Sequence, residues 1–348
     1  MPLAELAARV WYGTTTGAGA ARALLSPLSS LYAASIRRRN ARYDTFPPAT
    51  GPIPAISIGN LSVGGTGKTP VSAWFAARFR AAGAHPAIVL RGYGGDEVLV
   101  HRLLNPDVPV VADVERRRGV EQAARQGADL AILDDAFQHR RAARDVDVVL
   151  LSADRWTGVV RLLPAGPFRE PLRSLDRAAL VVVTVKAADD AQVGAAVAAA
   201  RAVTDAAVVT IDLRPASLVD VVAGEERGTE AWRGAHVLAV SGIGDPGAFA
   251  AQLVRLGLHP TPLVFPDHHA FQVADVARIV QAAAGLDAVV CTLKDAVKLG
   301  PVWPGPARSL WYLSQSVVPR DGADALDVVI QSVLQARRNG PSSFDLPR

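Results

Sequence analysis

Residues 56–70 read Ile56-Ser-Ile-Gly-Asn-Leu-Ser-Val-Gly-Gly-Thr-Gly-Lys-Thr-Pro70, and this stretch decides the fold. An apolar strand runs into a glycine-rich turn, and the end of the turn marks the start of a helix. A turn of this kind points backbone N–H groups and the helix N-terminus at bound phosphates. Lys68 adds a positive charge, and the Thr69 hydroxyl is a ligand for Mg²⁺. The sequence therefore predicts a phosphate-binding loop.

The loop departs from the pattern G-x-x-x-x-G-K-[ST] at one position, because Ser62 stands where the first glycine is expected. The alternative interpretation is a glycine-rich turn that binds no ligand. The apolar strand before the loop and the helical pattern of residues 71–82 after it favour the phosphate site. The residues predicted to bind the nucleotide are Ser62, Val63, Gly64, Gly65, Thr66, Gly67, Lys68 and Thr69.

Composition narrows the class of protein. A chain of 348 residues, half of them apolar, is long enough for two hydrophobic cores. The single cysteine, Cys291, excludes a disulfide framework and lies in an apolar run, where a small buried side chain is expected. The net charge of +4 suits anionic partners, but the basic residues alternate with acidic ones and form no stripe with aromatic residues. Nucleic acid is therefore not an expected partner.

The N-terminal residues 1–42 differ from the rest of the chain. They contain large apolar residues at helical spacing, followed directly by basic residues; these are Leu24, Leu28, Leu31, Tyr32 and Ile36, and then Arg37, Arg38, Arg39 and Arg42. No apolar run reaches the roughly 18 residues that a spanning helix needs. The pattern fits a segment lying on a bilayer with arginines at the headgroups, and it fits equally a helix packed on its own domain.

After this segment, apolar strands alternate with helical stretches, as in a wound parallel sheet. The strands are predicted at residues 55–59, 87–90, 130–133, 146–151 and 180–185, and a second series at 237–240, 263–265, 288–292 and 310–313. We expect an α/β fold with a mostly parallel, P-loop NTPase-like sheet and a second, smaller α/β domain. The expected domains are a membrane-associating segment at 1–42, a core at 43–215 and a C-terminal domain at 216–348.

An acidic pair follows one of these strands, in Leu130-Ala-Ile-Leu-Asp-Asp-Ala-Phe-Gln-His139. The carboxyl ends of parallel strands meet at one edge of a sheet, so Asp134 and Asp135 are expected to face Thr69. Two adjacent carboxylates are costly unless a cation lies between them. The sequence therefore predicts a Mg²⁺ site formed by Thr69, Asp134 and Asp135.

Taken in order, the motifs of the chain resemble those of the tetraacyldisaccharide 4'-kinase family of lipid A biosynthesis. The resemblance runs from about residue 20 to the last strand. The motifs are the loop at 59–70, Arg91-Gly-Tyr93, Gly95-Asp-Glu97, Asp134-Asp-Ala-Phe-Gln-His139, Leu163-Pro-Ala-Gly-Pro-Phe-Arg-Glu170, Ser241-Gly-Ile243, Phe265-Pro-Asp-His-His-Ala-Phe271 and Thr292-Leu-Lys-Asp295.

The resemblance implies a reaction and a location. It implies that the chain transfers the γ-phosphoryl group of ATP to the 4'-hydroxyl of a tetraacyldisaccharide 1-phosphate, giving lipid IVA, with Mg²⁺ as the metal. It also implies a peripheral or monotopic enzyme at the cytoplasmic face of the inner membrane, where the N-terminal segment contacts the bilayer. No obligate protein partner is implied.

The resemblance also implies roles for individual residues. Asp96 would accept the proton of the sugar hydroxyl, and His268 of the second domain would be its partner. Lys68 would act on the phosphates. Arg169 would contact phosphate and Glu170 the metal. Without the resemblance, His268 is an ordinary loop residue, and the adjacent Arg169 and Glu170 form an ordinary solvated salt bridge.

The chain departs from the family pattern at two places. Only two glycines lie between Tyr93 and Asp96, where the family carries a longer segment, and Ala136 replaces a glycine. A positive φ at Ala136 would strain the backbone.

Two other classes of function compete with the kinase. The first is a membrane-associated P-loop ATPase or GTPase that works as a switch, although the Asn/Thr-Lys-x-Asp motif that reads guanine is absent. The second is a lipid-binding scaffold with an inactive loop, which the intact Lys68, Thr69 and acidic pair disfavour. An Asp-His-His cluster at 267–269 also raises the question of zinc, but no third ligand stands at a matching spacing.

Overall fold

The computed structural model describes residues 3–46, 48–92, 95–244, 246–267, 269–305 and 309–339. The helices of this part of the chain are α1 (Leu3–Tyr12), α2 (Thr16–Thr45), α3 (Lys68–Ala81), α4 (Asp96–Leu104), α5 (Arg116–Arg125), α6 (Asp190–Arg201), α7 (Pro246–Arg255), α8 (Val273–Ala282), α9 (Leu293–Leu299) and α10 (Ala323–Asn339). Its strands are β1 (Ala55–Asn60), β2 (Pro86–Leu90), β3 (Val110–Ala112), β4 (Leu130–Asp134), β5 (Val146–Ser152), β6 (Leu180–Val185), β7 (Ala207–Asp220), β8 (Glu226–Gly228), β9 (His236–Ser241), β10 (His259–Val264), β11 (Ala288–Cys291) and β12 (Leu310–Asp321).

The chain forms two compact units. Unit 1 comprises Met1–Tyr93, Leu104–Leu213 and Val317–Arg348, and unit 2 comprises Gly94–Leu103 and Arg214–Ser316. The predicted domains at 43–215 and 216–348 differ from this division in two segments. Residues 94–103 belong to unit 2 because α4 turns the buried Val100 and His101 and the packed Leu103 towards a core. The end of β12 and α10 belong to unit 1, where Arg337 pairs with Asp129 at 2.7 Å.

In unit 1 the strand order is β7-β6-β5-β1-β4-β2-β3, and all neighbouring strands in this order are parallel. The central strands are buried along their whole length because helices cover the sheet, which explains their continuous apolar sequences. β1 lies between β4 and β5, so the loop that follows it opens at the middle of the carboxyl edge. This is where a wound sheet binds its ligands.

In unit 2 the order is β10-β9-β11-β12-β7, and β8 pairs antiparallel to the second half of β7. Its core contains Leu238, Val289 and Ile279. The α/β fold with a mostly parallel sheet is thus the one that the sequence predicts.

Two of the strands that the prediction missed or shortened, β7 and β10, contain proline. Pro215 interrupts β7, but pairing with β6 ends at Asp212 and pairing with β8 begins at Ser217, so no bond of either ladder needs its missing N–H. Pro260 and Pro262 lie in β10, which is the last strand of its sheet, and an edge strand tolerates proline.

The segment after β4 lies so close to β1 at Gly59 that there is no room for a side chain at this position. A Cβ atom built at Gly59 would lie 2.8 Å from the backbone nitrogen of Phe137 and closer still to the Phe137 side chain. We expect Gly59→Ala to lower the free energy of unfolding by about 1–3 kcal/mol through overpacking. Thermal or urea unfolding measures it.

Gly194→Ala is the matched control, because Gly194 lies inside α6 with no atom within 4 Å of the added carbon. This variant is expected to gain about 0.5–1 kcal/mol from the better helix propensity of alanine. Equal stability of the two variants would contradict the proposed close packing.

Candidate active site

The loop between β1 and α3 has the conformation that phosphate binding requires. Gly64 and Gly67 have φ angles of 115° and 85°, in the region that favours glycine. Gly67 is the N-cap of α3, and a Cβ atom there would collide with the side chain of Leu213. The backbone can therefore turn its N–H groups inwards at the start of α3, with Lys68 and Thr69 in the first turn.

The loop is fixed by hydrogen bonds from several strands. The buried Thr66 hydroxyl accepts from Nδ2 of Asn60 at 2.7 Å, and the Thr66 carbonyl accepts from the Thr184 hydroxyl at 3.0 Å. The N–H of Val63 donates to the Pro167 carbonyl at 2.8 Å, and Ser62 forms a β-bridge with Phe168. These bonds hold the backbone of the loop in place. Asn60 and Thr184 are contributors that sequence reasoning missed.

Asp135 lies beside two cations at the mouth of the loop. Its Oδ1 is 2.9 Å from Nη2 of Arg169 and 3.8 Å from Nζ of Lys68. Burial by itself would raise the pKa of Asp135, but the charges of Lys68 and Arg169 hold that pKa below its ordinary value. Arg169 also donates to the carbonyl and side-chain oxygens of Asn60. Lys68, Asp135 and Arg169 therefore form one charged cluster.

Asp134 is buried at the end of β4, level with Ile58 of β1. Its Oδ1 accepts from the Ser72 hydroxyl on α3 at 3.0 Å. The carboxylate therefore faces the helix that carries Thr69. The positive φ of this segment, 50°, falls on Asp135. Ala136 has no positive φ, so the condition for strain there is not met, and aspartate tolerates the left-handed region better than alanine.

Glu170 does not have the surroundings of a metal ligand. Its side chain is fully buried, and its two oxygens accept from Arg39 at 2.8 Å, Asn40 at 3.0 Å and Arg177 at 2.9 Å. The alternative interpretation, a solvated salt bridge between Arg169 and Glu170, is also wrong, because Arg169 pairs with Asp135 instead. Glu170 instead joins the loop at 163–170 to α2. No local pattern indicates these partners, which lie up to 131 positions away along the chain.

Helix α2 contains both residues that pack on unit 1 and large apolar residues that are exposed. Ile36 is buried, and the Tyr32 hydroxyl donates to the Arg169 carbonyl at 3.0 Å. Nearer the N-terminus of the helix, Leu24, Leu28 and Leu31 are 81, 53 and 69 % exposed. The helix therefore packs on unit 1, as one interpretation predicts, and leaves three leucines exposed; contact with a bilayer stays a prediction. Among the described residues, no helix has the length and apolar character needed to cross a membrane.

In unit 2, the predicted base Asp96 is the first residue of α4 and is 5 % exposed. Its predicted partner His268 lies outside the described residues. The neighbouring His269 is held by Asp275, with 2.9 Å between Nε2 and Oδ2, and its ring stacks on Phe265. The structure thus gives His269 a packing role.

The motif Thr292-Leu-Lys-Asp295 supplies a residue that sequence reasoning left without a role. Asp295 is fully buried, and its Oδ2 accepts from the Thr292 hydroxyl at 2.6 Å and from the N–H of Gly242 at 3.0 Å. It therefore fixes the loop after β9. A threonine followed three residues later by an acid is a helix-start signal that could have identified it.

Comparison with known proteins identifies the family. The sequence profile described as "LpxK: Tetraacyldisaccharide-1-P 4'-kinase" matches residues 21–103 and 94–335. A tetraacyldisaccharide 4'-kinase of Anaeromyxobacter sp. (strain Fw109-5) is 39% identical over 326 residues, covering 84% of this chain and 87% of the relative. The enzyme of the same name from Pseudomonas entomophila is 34% identical over 342 residues, covering 92% and 94%.

A solved structure agrees with these relatives. The crystal structure of LpxK from Aquifex aeolicus, described as in complex with ATP, is 28% identical to this chain. It aligns with a TM-score of 0.71 and covers 90% of this chain and 99% of its own. The resemblance of the motifs is thus confirmed at the level of sequence and fold, and the chain belongs to the tetraacyldisaccharide-1-P 4'-kinase family.

Proposed function

We propose that this chain transfers the γ-phosphoryl group of ATP to the 4'-hydroxyl of a tetraacyldisaccharide 1-phosphate in lipid A biosynthesis. The observation that carries the proposal is the preformed phosphate loop with Lys68, Asp135 and Arg169 at its mouth, in a chain of this kinase family. Phosphoryl transfer needs little covalent chemistry from the protein, so catalysis depends on positioning and charge. The loop N–H groups would bind the nucleotide phosphates, and Lys68 and Arg169 would compensate their charge.

Thr69, Asp134 and Asp135 suit Mg²⁺, because hydroxyl and carboxylate oxygens are the donors that this ion prefers. The bond from Ser72 directs Asp134 towards α3, which supports this set. Glu170 is left out of it, because its side chain is fully buried and paired with Arg39 and Arg177, whereas Asp135 is partly exposed beside Lys68. Bound Mg²⁺ would supply positive charge to the terminal phosphates.

The proposed acceptor of the sugar proton is Asp96, with His268 orienting it. The support is the family motif at 95–97 and the place of Asp96 at the start of α4, where an acid is favourable. Asp96 is only 5 % exposed, so its carboxylate is largely shielded from bulk water.

The proposed location is the cytoplasmic face of the inner membrane, with α2 in the interfacial layer. The exposed stripe of Leu24, Leu28 and Leu31 supports it, and Arg37, Arg38 and Arg42 are exposed beside it. We do not include Arg39 among the arginines proposed to contact headgroups, because it forms a salt bridge with Glu170.

One experiment separates the kinase from the two other classes. The purified chain is incubated with γ-labelled ATP and a tetraacyldisaccharide 1-phosphate in detergent micelles. Label on the disaccharide supports the kinase, release of free phosphate alone supports the ATPase switch, and no turnover supports the scaffold.

The phosphate loop gives a first prediction for this function. Lys68→Ala and Thr69→Ala should each lower kcat by on the order of 10²-fold or more, because each removes charge stabilisation of the transferring group. Thermal melts should match the unchanged protein. Thr261→Ala, at an exposed position of β10, is the matched control and should keep full activity. Normal turnover of either loop variant would exclude the loop from the mechanism.

The proposed base gives a second prediction. Asp96→Ala and His268→Ala should each lower kcat by about 10²- to 10⁴-fold, with little change in the KM for ATP. Because both act on one proton, the double variant should be little worse than the poorer single one. Separate roles would instead make the losses multiply. A fully active Asp96→Ala would point to Asp135 as the base.

The leucine stripe gives a third prediction. Deleting residues 1–42 would also strip Arg39 and Asn40 from the buried Glu170, so substitution is the sharper test. Changing Leu24, Leu28 and Leu31 to glutamine should lower binding to anionic vesicles by on the order of 10²-fold, at unchanged melting temperature. Val254→Gln, also an exposed apolar position, is the control. Unaltered vesicle binding of the triple variant would refute the interfacial role.

A further inference from the structure

Arg155 lies at the phosphate loop although no motif above includes it. It ends a short 3₁₀ turn, Ala153–Arg155, that directly follows β5. β5 pairs in parallel with β1, and Leu150 is level with Asn60. Arg155 therefore leaves the sheet at the same edge as the loop, from the neighbouring strand.

The guanidinium group of Arg155 rests against Gly64. A Cβ atom built at Gly64 would be 3.1 Å from Nη1, 3.5 Å from Cζ and 3.8 Å from Nε of Arg155. Gly64 is one of the two loop glycines with positive φ. The charge is therefore held over the part of the loop that turns its backbone towards bound phosphate.

Within the described part of the chain, no acidic side chain forms an ion pair with Arg155 within 4.0 Å. The adjacent Asp154 is engaged elsewhere, because its oxygens accept from the backbone N–H groups of Lys186 at 2.9 Å and Ala187 at 2.6 Å. Lys68 and Arg169, by contrast, share Asp135. Arg155 thus presents an uncompensated positive charge at the loop, where an anion is expected to bind.

The ring of Tyr12 holds this arginine in place. Cζ of Arg155 lies over the ring, 5.6 Å from its centroid. A cation–π contact uses the charge of the guanidinium but not its N–H donors, so these remain available for a ligand.

Tyr12 is itself fixed, because the neighbouring Trp11 donates from Nε1 to the Pro164 carbonyl at 2.9 Å. Arg22 of α2 caps the end of α1 by donating to the carbonyls of Val10 at 2.7 Å and Gly13 at 2.8 Å. The last turn of α1 is therefore a firm support for the ring.

We propose that Arg155 binds the polyphosphate of the nucleotide directly, and that Tyr12 is the residue that positions it. The proposal rests on the proposed function, in which the loop binds ATP. A guanidinium can hold two phosphate oxygens at once through parallel N–H donors, which a lysine cannot. The N-terminal helix α1 then contributes to the nucleotide site as well as to the proposed membrane contact.

The test measures nucleotide affinity without lipid, by titrating ATP and, separately, adenosine against the full chain in detergent. Arg155→Ala should weaken ATP binding about 10- to 100-fold, the loss expected for one or two charged hydrogen bonds, and leave adenosine binding unchanged. Arg155→Lys should recover only part of the loss, since lysine is a point charge. Arg201→Ala, an exposed arginine at the far end of α6, is the matched control.

Tyr12 is tested in the same assay. Tyr12→Leu should weaken ATP binding about 3- to 5-fold, as expected from the loss of an exposed cation–π contact, and Tyr12→Phe should restore it. In the Arg155→Ala background Tyr12→Leu should have no further effect, because its role passes through the arginine. An additive loss, or a loss in adenosine binding, would overturn the positioning role.

Normal ATP affinity of Arg155→Ala, or an equal loss for adenosine, would overturn the phosphate contact. The proposed function is judged separately, by label transfer to the disaccharide by the unchanged chain. A chain that transfers label and tolerates Arg155→Ala refutes only this inference. A chain that transfers no label but loses ATP affinity selectively on Arg155→Ala refutes only the kinase.

Discussion

The buried carboxylate of Glu170 is the constraint on which much of unit 1 depends. A fully buried charge is tolerated only when it is paired, and here α2 supplies Arg39 and Asn40 while Arg177 completes the set. Breaking such a pair costs about 3–5 kcal/mol, so the N-terminal helix is bound to the 163–170 loop much more firmly than by surface contacts. The next residue back along that loop, Arg169, bonds Asn60 and Asp135 beside the phosphate site. Two adjacent residues, Arg169 and Glu170, thus join the nucleotide loop to α2, which carries the exposed leucines.

Charged and polar contacts hold the loop at 62–69 and its surroundings in place. Two cations converge on Asp135, and the pKa of that carboxyl stays low in spite of its burial. Thr66 fixes the loop backbone through bonds to Asn60 and Thr184. Bound phosphates would therefore meet donors that are already oriented, which is how enzymes lower the reorganisation cost of charge transfer.

The sequence was sufficient for features encoded locally. The strand at β1 and the helix start at Lys68 follow from neighbours within fifteen residues, and the structure has them as predicted. The sequence does not reveal the partners of Glu170, because Arg39 and Arg177 come from elements that are adjacent only after folding. β7 was missed because Pro215 reads as a break, while the change of partner from β6 to β8 removes the need for its N–H. Asp96 and His268 rest on resemblance alone.

The division of α2 into a fixed face and an apolar face limits how this chain can meet a bilayer. A helix held along one side by Tyr32, Arg39 and Asn40 can sink only by the height of its free leucine side chains, about 5 Å, into one leaflet. If α2 binds the membrane as proposed, the thickness of the hydrocarbon layer has no bearing on its fit, and there is no hydrophobic mismatch to satisfy. What governs adsorption is the spacing of headgroups and the curvature of the surface, so strongly curved or loosely packed regions would gather the protein in preference to flat, tightly packed ones.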